Sequence, residues 1–168
     1  MKRILICGSR EFSNWDIFWN ALHEIAWCYF ARGPLDNQGN FTYAVTVICG
    51  GAKGADTLAM EWAAIENVNL EIYLAEWDKF GKSAGYRRNK RMLDEGKPDI
   101  VIAFPGGIGT KMMVDIARLA NVKIIKVNVT PAGSHYVISE DTAGSLDPGA
   151  EEYEQIMEAI DLVDKMSP

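Results

Sequence analysis

The residues whose types and spacing could do chemistry gather in three glycine-rich turns. They are Cys7-Gly8-Ser9-Arg10, Cys49-Gly50-Gly51-Ala52-Lys53-Gly54-Ala55-Asp56 and Phe104-Pro105-Gly106-Gly107-Ile108-Gly109-Thr110. Each follows an apolar, strand-like run and precedes a helical pattern. Strand, glycine turn and helix start together set bare backbone N–H groups and the positive end of a helix before an anion. Glycine also lets a ligand come close to the backbone. Three such turns suggest one shared site. The candidate ligand-binding residues are Gly8, Ser9, Arg10, Gly50, Gly51, Lys53, Gly54, Asp56, Pro105, Gly106, Gly107, Gly109 and Thr110. Arg10 suits bidentate contact with a phosphate. Asp56 suits either a helix cap or a ribose hydroxyl, and the two readings stay open.

Other chemistries lack their residues. The Walker pattern GxxxxGK[ST] is absent, and no GxGxxG follows the first strand, which disfavours P-loop NTPases and dinucleotide oxidoreductases. Cys7, Cys28 and Cys49 are odd in number and lack CxxC spacing. That disfavours a disulfide framework or a zinc site and fits a reducing cytoplasm. His23 and His135 show no partner spacing, so no metal and no cofactor are implied.

The elements that must position these turns alternate. Strands are expected at 3–7, 43–49, 70–75, 99–104 and 123–129. Between them, Trp15, Phe18, Leu22, Ile25 and Tyr29 recur at helical spacing, with Ser13 as expected N-cap. Further helices are expected from the second turn to about residue 66, over 86–95 and over 110–120. Residues 35–40 read as a polar loop, 76–85 as a loop, and 130–149 as irregular. An acidic amphipathic helix is expected over 150–166, with Tyr153, Ile156, Ile160 and Val163 on one face. Trp62 and Trp77 read as core. The pattern predicts one α/β domain over 1–168, a Rossmann-like three-layer sandwich. Its sheet would be five-stranded and mainly parallel, with helices on both faces. Such sheets bind ligands beyond the strands' carboxyl ends, where the strand order reverses.

The length of 168 residues suits one domain with a full core. No apolar run approaches the roughly 18 residues of a membrane span, and Met1-Lys2-Arg3 leads into no signal-peptide pattern. A cytoplasmic protein without membrane partners is expected. The net charge of −6 is uneven: residues 139–168 carry nine acids against one base, whereas 79–91 carry six bases and no acid. The acidic balance disfavours a general nucleic-acid binder.

Four motifs in order, Gly8-Ser9-Arg10, Gly50 to Asp56, Ala84-Gly85-Tyr86-Arg87-Arg88-Asn89 and Phe104 to Thr110, resemble the SLOG superfamily, in particular its YspA/YpsA-related group. The resemblance covers about residues 1–129. It implies a Rossmann-like fold that binds a nucleotide or nucleotide-derived ligand, often as a homodimer, and it adds Arg88 and Asn89 to the candidate site. The superfamily also includes the LOG phosphoribohydrolases and the Rossmann domain of DprA. LOG enzymes carry PGGxGTxxE, whose glutamate takes part in cleaving the N-glycosidic bond. Here Lys111, Met112 and Met113 follow Thr110. A LOG-like reaction would need a non-standard acid, with Glu76, Asp56 and Asp115 as candidates, so no residue is assigned to catalysis. Arg88-Asn89 with Arg91 is similar to the RNR element of DprA. That similarity makes single-stranded nucleic-acid binding through 79–91 the other alternative.

Overall fold

A computed structural model describes residues 1–30 and 32–141, together with Gln155 and Glu158, both helical. The helix expected over 150–166 and the stretch 142–149 otherwise lie outside the described residues.

Apolar residues in near-continuous runs build the centre. Strand β1 (Lys2–Cys7) pairs in parallel with β4 (Val45–Cys49) on one side and with β6 (Ile100–Ala103) on the other. β5 (Asn69–Ile72) lies outside β4, and β7 (Lys123–Val129) lies outside β6, both parallel. The sheet order is therefore β5-β4-β1-β6-β7-β8, with β8 (Tyr136–Asp141) antiparallel to β7. A parallel sheet covered on both faces needs apolar residues at successive positions, and all of β4 and β6 is buried.

Alternation then divides the core. Ile4, Ile6, Val47 and Ile102 face α1 (Trp15–Tyr29) and α2 (Ala55–Ile65). Leu5, Ile48, Val101 and Ile124 face the other way, with Met92 of α4 (Ala84–Asp94) and Met112, Met113 and Ala117 of α5 (Ile108–Leu119). The expected three-layer Rossmann-like architecture is observed.

Four local features differ from the sequence reading. The sheet has six strands, because 136–141 is strand β8 and not irregular chain. Only half-buried, β8 is apolar at Tyr136, Val137 and Ile138 alone, with Tyr136 and Ile138 packed on the core, and its polar end is held by the ladder to β7 and by side-chain pairs: Asp141 meets Arg118 at 2.6 Å and Lys126 at 2.7 Å. Residues Arg32–Leu35 and Phe41–Tyr43 form a separate hairpin, β2–β3, whose turn is organised by Asp36 accepting from the N–H groups of Gln38 and Asn40. Asn14, not Ser13, caps α1, its Oδ1 accepting from Ile17 N at 3.0 Å. The stretch 76–85 contains the short helix α3 (Trp77–Phe80), a 3-10 turn at Gly81–Ser83 and the start of α4.

Candidate functional site

From β1 the chain steps outward through β4 to β5 on one side, then returns to β6 and steps through β7 on the other. The reversal lies between β1 and β6. A crevice therefore opens at their carboxyl ends, and the first and third glycine turns start there.

The turns are bonded to one another. Phe104 N donates to Cys7 O at 2.8 Å, and Ser9 N donates to Pro105 O at 2.8 Å. Ser9 O in turn accepts from Ala55 N at 3.1 Å, which ties the first turn to the start of α2. Several glycines are required by this close packing. A β-carbon on Gly8 would lie 2.6 Å from the Ala55 β-carbon. One on Gly106 would lie 2.6 Å from the Thr110 β-carbon and 3.0 Å from Ser9 N. Gly54 has φ +79° and packs on the Ser9 and Arg10 carbonyls. Gly107 and Gly109 differ, because a β-carbon there would meet nothing within 4 Å. Gly107 is also the N-cap of α5, and no side chain caps that end. No side chain therefore takes the first-turn N–H groups of α5 as a cap, which a helix-start anion site requires.

Arg88 and Asn89 connect the second turn to the third. Arg88 donates from Nη1 to Gly50 O at 2.7 Å and from Nε to Asn89 Oδ1 at 3.0 Å. Asn89 Nδ2 donates to Gly109 O at 3.2 Å. Asp56 accepts from Ala52 N at 3.0 Å, and Arg88 Nη1 is 3.9 Å from its carboxylate. Burial pushes the Asp56 carboxyl above the usual range, while the Ala52 N–H and Arg88 oppose that shift. Burial likewise lowers Arg88, with Asp56 opposing.

The resulting cavity has a volume of about 410 Å3, within the range of small-molecule sites. Of the residues expected at a site, Gly8, Ser9, Arg10, Asp56, Arg88, Asn89, Gly107, Gly109 and Thr110 line it. Gly50 and Gly54 stand behind the wall as packing positions. Gly51, at φ +66°, packs towards Ile72 and Leu74, and Lys53 is exposed; neither lines the cavity. Pro105 and Gly106 line a neighbouring cavity instead, with Lys111, Asp115 and Arg118. Asp115 is buried there between Arg118 at 2.9 Å and Lys111 at 3.2 Å. Glu76 is exposed at the start of α3. Of the three acids considered for catalysis, Asp56 alone lines the main cavity. Met113, at the position of the LOG glutamate, is buried and forms part of the wall.

Sequence reasoning missed the apolar side of the cavity. Trp77, Tyr86, Ile108 and Met92 line it, together with Lys82. Trp77 is not a core residue: it is 49% exposed, and Ile108 is 70% exposed. The available signal was their position, next to Gly85 and inside the third turn.

An open, mainly parallel sheet with uncapped, glycine-rich helix starts at its topological switch defines a Rossmann-like α/β protein, a class of sheet in which ligands sit at that switch. Residues 2–80 match the model of the family described as YAcAr, the YspA, cpYpsA-related SLOG family. The Gene 61 protein of Mycobacterium phage D29 is 34% identical over 138 residues, which cover 78% of this chain and all of that protein. The chain belongs to the YspA/cpYpsA-related SLOG family. Membership points to a nucleotide-related ligand. Among the described residues no helix is long and apolar enough to cross a membrane.

Proposed function

We propose that the protein binds a nucleotide or nucleotide-derived phosphorylated ligand in the cavity between β1 and β6. The start of α5 carries the proposal: Gly107 and Gly109 face open space, and no side chain caps the helix. A phosphate seated there would meet backbone N–H groups and the helix dipole. Arg10 and Lys82, which line the same cavity, would add positive charge, and Asn89 and Asp56 would offer polar contacts. The basic segment supports a small ligand over a nucleic-acid strand. Arg88 is turned inward, Lys90 and Arg91 pair with Asp94 and Glu95, and Lys79 and Arg87 lie over the Phe80 ring. A homodimer belongs to the same reading: β5 is a sheet edge and exposes Leu70 and Ile72, with Leu74 just beyond it.

Native mass spectrometry of freshly purified protein, followed by a thermal-shift panel of nucleotides, tests both parts. At a hundredfold excess over Kd a ligand stabilises the fold by about 2.7 kcal/mol. The expected result is a clear shift for a subset of the panel and a dimer mass. The absence of any shift across the panel would overturn the binding reading.

One observation favours a second reading, hydrolysis of an N-glycosidic bond. Asp56 is a cavity-lining carboxyl with a raised pKa, a property shared by general acids. Release of free base from a nucleoside monophosphate, lost in Asp56→Asn, would establish it. No release from any member of the panel would leave binding as the function.

A further inference from the structure

Trp77 is a large apolar side chain that the core does not use. It opens α3, a single turn with no buried residue, and remains half exposed. It lines the cavity, with its indole tip resting over Gly85, where a β-carbon would lie 3.4 Å from Cη2. The Arg10 guanidinium lies 5.6 Å from its ring centroid. Arg10 is exposed, and its charge acts on the Asp56 carboxylate across the cavity. Ile108, the first residue of α5, brings a second exposed apolar side chain to the same cavity. The site thus has a phosphate-type end at the α5 start and an apolar, aromatic part built by Trp77 and Ile108. A sugar phosphate would leave that part wet and exposed. A planar base would cover it, because every nucleobase has a π-face that stacks on an aromatic ring.

Building on the nucleotide reading above, we propose that Trp77 is a stacking platform for an aromatic base, which takes the place over the ring where the Arg10 guanidinium lies and leaves Arg10 to meet the ligand's negative charge. The ligand class narrows accordingly to compounds that keep their base, as opposed to ribose phosphates or inorganic phosphate.

The test is calorimetric titration of the full chain with inorganic phosphate, ribose 5-phosphate and the four common ribonucleoside monophosphates, repeated on Trp77→Phe and Trp77→Ala. Because no residue of α3 belongs to the buried core, both variants are expected to keep the fold, and circular dichroism checks this. The expected result is that at least one nucleotide binds ten- to a hundredfold more tightly than ribose 5-phosphate, a ratio of roughly the size stacking provides. Trp77→Phe retains that preference, and Trp77→Ala loses it, its nucleotide affinity falling to about that for ribose 5-phosphate. Nucleotide binding also quenches tryptophan fluorescence in the wild type, and the quenching disappears in Trp77→Phe. Equal binding of ribose 5-phosphate and nucleotides overturns the platform while leaving a phosphate site intact, as does an equal loss of both in Trp77→Ala. Failure of every probe to bind overturns the platform and the nucleotide reading together.

Discussion

The Arg88 guanidinium occupies the space that any side chain on Gly50 would need: a β-carbon there would fall inside the guanidinium group. The same group donates to Gly50 O at 2.7 Å. The glycine and the arginine are thus one packing unit, which joins α4 to the end of β4.

Gly50→Ala is therefore expected to displace Arg88. Overpacking costs about 1–3 kcal/mol, and losing a hydrogen bond from a charged donor adds about 1.5–3 kcal/mol. A loss of roughly 3 kcal/mol in urea denaturation is expected. Arg88→Ala in the same background should remove much of the overpacking, so the double-mutant cycle should be strongly non-additive. Additive effects would show that the two residues act separately.

The third turn should split into structural and binding glycines. Gly106→Ala forces a β-carbon against Thr110 and Ser9 N and should cost about 2 kcal/mol. Gly109 lies in the first turn of α5 with open space before it. Gly109→Ala should raise stability by about 0.5–1 kcal/mol, while its new methyl group weakens nucleotide binding at least tenfold. Paired melting and titration curves for the two variants check this contrast.

The thiols should differ sharply in reactivity. Burial above all pushes Cys7 up to about 12 and Cys49 up to about 11, whereas Cys28 is exposed. Since the thiolate is the reactive form, a thiol reagent at pH 8 should modify the native protein once, at Cys28. The denatured protein should react at all three cysteines, which intact-mass measurement counts directly.

Acid should loosen the β8 edge. Burial alone would raise the Asp141 carboxyl, but hydrogen bonds from Lys126 and Arg118 hold it below its usual 3.8. A carboxylate whose folded pKa is depressed contributes stability above its unfolded value and loses it as pH falls through the folded one. Asp141→Asn should therefore cost about 2 kcal/mol at pH 7. The gap to wild type should narrow progressively below pH 3.8. A gap that stays constant down to pH 2 would assign the effect to packing.

The sequence was legible where one physical rule dominated. Buried parallel strands such as Val45–Cys49 have to be apolar throughout, and glycines before helices mark the turns. Both patterns were readable, and so was the three-layer sandwich. Strand β8 was hidden because its apolar run, Tyr136 to Ile138, is only three residues long and its other half carries Ser139, Glu140 and Asp141, the two acids being held by cations distant in sequence. Within the turns, spacing could not separate Gly106, locked against Ser9 N, from Gly109, facing open space. Trp77 was misread as core because composition does not reveal that a four-residue helix has no layer to pack beneath.

Ser9 gives and receives backbone bonds with two other loops, so the three glycine turns behave as a single casting that cannot be reshaped piecemeal. The α3 segment has no fully buried residue, and a β-carbon on Gly81 at its end would meet nothing within 4 Å. It is the replaceable cassette of the site. Exchanging residues 76–83 between two members of the family should transfer ligand preference while leaving the melting temperature almost unchanged.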